Sequence, residues 1–99
     1  MIREDRDAAL ADLPRWRFDE DQRGIAATFV FHDFPAAFAF MTRAALYAER
    51  VDHHPDWRNV WNKVEILLTT HDAGGVTHKD IDFARALEGF SLGLNRTGD

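Results

Sequence analysis

The stretch Asp52 to His71, DHHPDWRNVWNKVEILLTTH, decides the fold of this chain. Pro55 disfavours helical geometry at the residue before it, so Asp52-His53-His54-Pro55-Asp56 must be an ordered loop that closes one helix and opens a strand. Trp57, Asn59 and Trp61 then fall on one side of an extended segment. Asn62-Lys63 reads as a tight turn, and Val64, Ile66 and Leu68 alternate with Glu65, Leu67 and Thr69 on the returning strand. Pairing through that turn would set His71 opposite His54.

Upstream of this hairpin, Asp33 can cap a helix that admits Pro35 in its first turn, with Phe34, Phe38, Met41, Ala45 and Ala48 at three- and four-residue steps as far as about Arg50. Before it, Trp16-Arg17-Phe18 alternates, Asp19 to Arg23 is a polar turn, and Gly24 opens a run in which Ile25, Ala27, Phe29 and Phe31 share a face. This is a second hairpin. A short amphipathic helix over Arg3 to Leu13 leads into it and stops at Pro14. Downstream, Asp72-Ala73-Gly74-Gly75 reads as a flexible turn, and Thr77-His78-Lys79-Asp80 has capping-box spacing before a helix carrying Ile81, Phe83, Ala84, Leu87 and Phe90. The tail from Gly93 to Asp99 is expected to fray. The order α-β-β-α-β-β-α predicts a single α+β domain over 1–99, a two-layer sandwich of a four-stranded antiparallel sheet with helices on one face. The uncovered face of the sheet favours a homo-oligomer.

Composition sets limits on the chemistry. Ninety-nine residues, 45% hydrophobic, suffice for one core, and eight Phe with three Trp can fill it. The absence of cysteine excludes disulfides, thiol nucleophiles and thiolate zinc sites. A formal charge of -5 argues against a phosphate-binding surface, so nucleic acid is not an expected partner. No stretch has the length of a signal peptide or a membrane span, which makes the cytoplasm the expected location. Ser91, the only serine, lacks a Gly-x-Ser-x-Gly setting, and Gly74-Gly75 alone is no phosphate loop.

What remains is histidine. His53, His54 and His71, with Asp52, Asp56 and Asp80 nearby, are expected to converge into one polar cluster. Imidazole suits proton transfer near neutral pH, and two imidazoles on one ligand would supply both acid and base. A metal is not expected, since adjacent His53 and His54 diverge and no His-Glu-x-x-His helix is present. His32 and His78 read as surface residues. Asp80 has a competing structural role at the third position of the capping box.

These residues resemble the pterin-4a-carbinolamine dehydratase family. Its pattern is His-His-Pro, an acidic residue and Trp; then Asn-Val, an aromatic, Asn and Lys-Val; then Thr-His, a Gly-containing turn, and Asp at the last helix. It is matched by His53-His54-Pro55-Asp56-Trp57, Asn59-Val60-Trp61-Asn62-Lys63-Val64, Thr70-His71, Gly74-Gly75 and Asp80-Ile81. Trp61 stands where the family commonly has Tyr. The resemblance implies dehydration of a 4a-hydroxytetrahydropterin, such as 4a-hydroxytetrahydrobiopterin, to quinonoid dihydropterin and water. This serves cofactor recycling after aromatic amino acid hydroxylation. It implies His53 and His71 as acid/base residues, with His54 beside them at the pterin, and no cofactor or metal. It also implies Glu49, Asp52, Pro55 and Asp80 as orienting or binding residues and Trp57 as a wall of the pocket. The alternative is an interaction or assembly module on the same fold, a role in which relatives of the family tend to lose these histidines.

Overall fold

The computed structural model describes residues 1–95. Its elements are α1 (Arg3–Ala11), β1 (Arg17–Asp19), β2 (Gly24–Val30), α2 (Phe34–Val51), β3 (Asp56–Val60), β4 (Lys63–Leu68), a 3-10 turn (His71–Ala73) and α3 (His78–Ser91). The four strands form one antiparallel sheet in the order β1-β2-β4-β3, the α+β architecture expected from the sequence.

Alternation determines which side of the sheet is covered. Ile25, Ala27, Phe29 and Phe31 on β2 and just beyond it, with Val64, Ile66 and Leu68 on β4, are buried beneath the helices. Across the register Ile66 faces Trp57 and Val64 faces Asn59, so these two residues of β3 point to the same side. Ala26, Thr28, Glu65 and Arg58 alternate onto the opposite, helix-free side. Gly24 is required where β2 approaches β4, because a Cβ there would lie 2.7 Å from the Leu68 carbonyl oxygen.

The helix α2 begins as expected, with the Asp33 side chain accepting from the Ala36 N–H at 2.9 Å and proline in the first turn. Its buried face differs from the expected one. Ala37, Phe40, Ala44 and Ala48 are buried, whereas Phe34, Phe38 and Ala45 are exposed. The cause is that α2 is apolar on most sides, so spacing alone does not single out a face; packing does. Phe40 wedges between Phe29 and Phe31, 4.8 Å from each ring, while the alanines let the helix lie close to the sheet. Each such fully buried phenylalanine contributes on the order of 1.5–3 kcal/mol.

Four further expectations are corrected. The β3–β4 turn is Trp61-Asn62, one residue earlier than expected, because Val60 pairs with Lys63 and Trp61 takes a positive φ of 50°. The Asn59 side chain donates to the carbonyls of Trp61 and Lys63, and that of Asn62 donates to Phe31, which locks this turn. Trp61 therefore leaves the strand and stands 62% exposed. Extending the observed register sets position 54 level with 69 rather than 71. The segment after Thr70 is also built rather than flexible: Thr70 and Gly75 exchange backbone hydrogen bonds of 3.0 and 3.2 Å around the 3-10 turn, which Gly74 closes at φ 73°. Finally, Asn95 bridges to Phe31 and Leu94 packs against the core, so the tail is docked as far as Asn95. The rest of the expected fraying, at 96–99, lies outside the described residues. The first helix ends at Ala11, ahead of the expected Leu13, which is itself buried.

Candidate functional site

Two elements meet where α2 ends and α3 begins. Asp52 terminates α2 in the left-handed conformation, φ 52° and ψ 47°, and the next residue, His53, returns its N–H to the Ala48 carbonyl at 3.1 Å. That reversal turns His53 inward. Its side chain is 11% exposed and its Nε2 lies 2.6 Å from Oδ1 of Asp80, which is completely buried. The Phe83 ring stands 6.3 Å from the imidazole and supplies an apolar flank.

Asp80 holds its place through its other oxygen. Oδ2 accepts from the Thr77 backbone N–H at 2.9 Å, the reciprocal half of the capping box, and from the Thr70 hydroxyl at 2.8 Å. The structural and functional readings of Asp80 are therefore compatible: one oxygen caps α3 and the other meets the histidine. With the carboxylate acting as acceptor, Nε2 of His53 carries the hydrogen. In the neutral ring the lone pair is then on Nδ1, the nitrogen available to take or return a proton.

The remaining expected residues surround this pair at the surface. His54 is exposed and its Nε2 lies 2.9 Å from Oε1 of Glu49, in the last turn of α2. His71 is exposed at the start of the 3-10 turn, the direct chain neighbour of Thr70, whose hydroxyl touches Asp80. Asp52 is exposed, Pro55 is half-buried in the connecting loop, and Trp57 is half-buried against the core. The structure thus joins His53 to Asp80 and His54 to Glu49 by direct contact. It places His71 beside that framework through the backbone, without a side-chain hydrogen bond among the described residues. Asp56 faces the helix-free side of the sheet, away from Ile66 and Trp57. His32 and His78 are exposed.

The side chains supply no metal-binding cluster of three or more His, Asp or Glu among the described residues. Two hollows are present. One of about 440 Å³ lies on the helix-free sheet face around Arg17, Ala26, Thr28, Arg58 and Leu67 and includes none of the histidines. The other, about 400 Å³, is lined by Thr70, Asp72, Ala73, Thr77, His78 and Lys79 and adjoins the threonines that hold Asp80. Neither hollow is lined by His53, His54, His71 or Asp80; Trp57 and Asp56 line the first, and the second meets the ionisable framework only through Thr70 and Thr77.

Behind the site, Tyr47 packs on Phe83 with ring centroids 4.7 Å apart. Burial pushes its phenol above the ordinary value of 10.0; the charge of Asp82 adds to the rise and Arg50 opposes it. Sequence reasoning missed Thr70 as a partner of Asp80 and Phe83 as a neighbour of His53. The capping box at Thr77 to Asp80 was the available signal, because it fixes one carboxylate oxygen and leaves the other to be accounted for.

Comparison with known proteins finds similar chains and a matching fold. A family profile described as Pterin 4 alpha carbinolamine dehydratase matches residues 1–90. A protein of Rhizorhabdus wittichii provisionally named pterin-4-alpha-carbinolamine dehydratase is 60% identical over 85 residues, covering 86% of this chain and 88% of that one. One of Rhodopseudomonas palustris (strain BisB18), provisionally given the same name, is 59% identical over 92 residues, covering 93% and 91%. The crystal structure of a transcriptional coactivator/pterin dehydratase from Brucella melitensis superposes with a TM-score of 0.89 at 41% identity, over 92% of this chain and 97% of that one. A pterin dehydratase-like protein identified as a RuBisCO assembly factor in the alpha-carboxysome shares the fold at a TM-score of 0.67 and 20% identity, over 78% and 89%.

Proposed function

The chain belongs to the pterin 4 alpha carbinolamine dehydratase family, and from that premise we propose that it converts 4a-hydroxytetrahydrobiopterin, or a closely related pterin-4a-carbinolamine, to quinonoid dihydropterin and water. In this reading it is a hydro-lyase that supports tetrahydrobiopterin recycling after aromatic amino acid hydroxylation. The single observation that carries the mechanism is the 2.6 Å contact between His53 and the buried Asp80.

The reaction is an elimination. A base removes a ring nitrogen proton, that electron pair forms the C=N bond, the C–O bond breaks, and an acid delivers a proton so that hydroxide leaves as water. Electrons and protons balance without an oxidant. His53 is suited to one transfer because Asp80 fixes its ring and leaves Nδ1 as the proton carrier. His71 is assigned the complementary transfer from the 3-10 turn, and His54, steadied by Glu49, binds the pterin. Asp52 and Pro55 shape the loop that presents these groups, and Trp57 walls the pocket. No metal or cofactor is assigned a role.

A second reading is favoured by a specific surface. Phe34, Phe38 and Leu46 on α2 are 44%, 55% and 70% exposed, a concentration of large apolar side chains on the outward side of one helix. That face suits a homodimer or homotetramer, or a module that docks on another protein; the Brucella melitensis relative is described as a transcriptional coactivator as well as a pterin dehydratase. The substrate is a small pterin. Among the described residues no helix is long and apolar enough to cross a membrane, and the proposed site of action is the cytoplasm.

The test is the spectrophotometric dehydration of a freshly generated 4a-hydroxytetrahydropterin with purified protein. Acceleration above buffer supports the enzyme. No acceleration, together with a tight protein partner for the same preparation, supports the interaction module instead.

A further inference from the structure

Three hydrogen-bonding groups from three parts of the fold converge on the Asp80 carboxylate: the His53 imidazole after α2, the Thr70 hydroxyl after β4, and the Thr77 backbone N–H ahead of α3; the Thr77 hydroxyl joins them through Thr70. Their hydrogens have one consistent arrangement. The Thr77 Oγ1 accepts from the Lys79 N–H at 3.2 Å, and the Thr70 and Thr77 hydroxyl oxygens are 2.7 Å apart. Thr70 has one hydrogen and lies 2.8 Å from Oδ2 of the carboxylate, so it donates there; the hydrogen between the two threonines must then come from Thr77. The chain runs Thr77 O–H to Thr70, Thr70 O–H to Asp80 Oδ2, and His53 Nε2–H to Asp80 Oδ1.

We infer that Thr70 is a positioning residue, whose hydroxyl fixes the rotation of the Asp80 carboxylate and thereby sets both the ring orientation and the hydrogen-bearing nitrogen of His53. Two donors hold Oδ2 from different directions, one from the backbone of α3's cap and one from the end of β4. A carboxylate held by one donor can turn about its Cβ–Cγ bond; held by two, it presents Oδ1 to His53 and keeps it there. Completely buried, Asp80 has no solvent shell to substitute for a lost donor. The effect on His53 follows from the contact, because a carboxylate Oδ1 at 2.6 Å takes the hydrogen carried on Nε2 and leaves the lone pair of the neutral ring on Nδ1, the working nitrogen.

For its kinetic consequence this inference rests on the dehydratase reading; for its structural consequence it does not. The experiment therefore has two readouts on Thr70→Val, which keeps the branched shape and loses the hydroxyl, and Thr70→Ser, which restores it. The first is the nitrogen-15 shifts of the His53 ring, which distinguish the two neutral tautomers. Wild type and Thr70→Ser are expected to show the hydrogen on Nε2, and Thr70→Val a mixture. The second is the dehydration rate, with kcat falling about tenfold in Thr70→Val, KM little changed, and Thr70→Ser recovering most of the loss; outer partners of a functional imidazole act on this scale. Thr70→Ala takes the place of Thr70→Val should the latter not fold, with the same expectation. A wild-type ring protonated on Nδ1, an unaltered tautomer in the hydroxyl-free variant, or an equal rate loss in the Ser and Val variants would each overturn the inference. A tautomer shift in a protein that dehydrates nothing would uphold the positioning role and count against the enzymatic reading alone.

Discussion

Asp80 faces two ways: its Oδ2 caps helix α3 while its Oδ1, 2.6 Å from Nε2 of His53, ties the end of helix α2 to that cap. Fold and proposed chemistry therefore depend on the same buried carboxylate. Asp80→Asn is expected to reduce dehydration by about 10- to 100-fold, the scale on which losing the outer partner of a working imidazole acts. It is also expected to destabilise by about 1 kcal/mol through the weakened cap, read from denaturant melts. An Asn variant with full activity would separate the carboxylate from the chemistry.

His54 and His71 offer the converse, since both are exposed and hold no core contact. Alanine at either position is expected to leave stability within about 0.5 kcal/mol. His71→Ala is expected to lower kcat by about 100-fold, whereas His54→Ala should act mainly on KM as a binding residue. Steady-state kinetics beside thermal melts check both expectations. A variant that loses activity only as far as it loses fold would contradict these assignments.

Much of this arrangement is legible in the sequence. Pro55 and the alternation of Val64, Ile66 and Leu68 give the loop and the strand without reference to any other part of the chain. What depends on packing is less accessible. The buried face of α2 is ambiguous because phenylalanines and alanines surround the helix, and only the Phe29, Phe31 and Phe40 contacts choose Phe40 over Phe38. The β3–β4 register turns on Trp61 adopting a positive φ, an uncommon state for a bulky residue that neighbouring asparagine side chains hold in place. His53 and Asp80 could be named as candidates, but 27 residues separate them, and their contact needs both helix ends in position.

Phe40 tests the corrected face of α2. Phe40→Ala removes a fully buried ring packed against two others and is expected to cost about 3–5 kcal/mol. Phe38→Ala, on the exposed side, should cost far less in a dilute monomer. Equal losses in urea unfolding would contradict the observed orientation.

The exposed side of α2 bears on assembly. Phe38→Lys is expected to shift a homodimer or homotetramer toward the 11.4 kDa chain, measured by light scattering at micromolar concentration. A wild-type protein that scatters only as the single chain would remove the oligomer from the account.

Tyr47 gives a pH signature. Its phenol keeps its proton to higher pH in the fold than in the unfolded chain, chiefly through burial, so the folded state binds more protons in that window. Stability should accordingly fall as the pH rises from near 10 through the raised folded value. Tyr47→Phe is expected to flatten that part of the decline in melts taken across alkaline pH. An unchanged slope would show that another group is responsible.

The central claim is that His53, set by Asp80, and His71 together move the protons of a carbinolamine dehydration. It is tested most directly by the dehydration of a freshly formed 4a-hydroxytetrahydropterin, followed with wild type and with the folded His53→Ala/His71→Ala double variant at equal concentration. The account predicts clear acceleration by the wild type and a loss of about 100-fold or more in the double variant. A double variant as fast as wild type, or a wild type no faster than buffer, would contradict it.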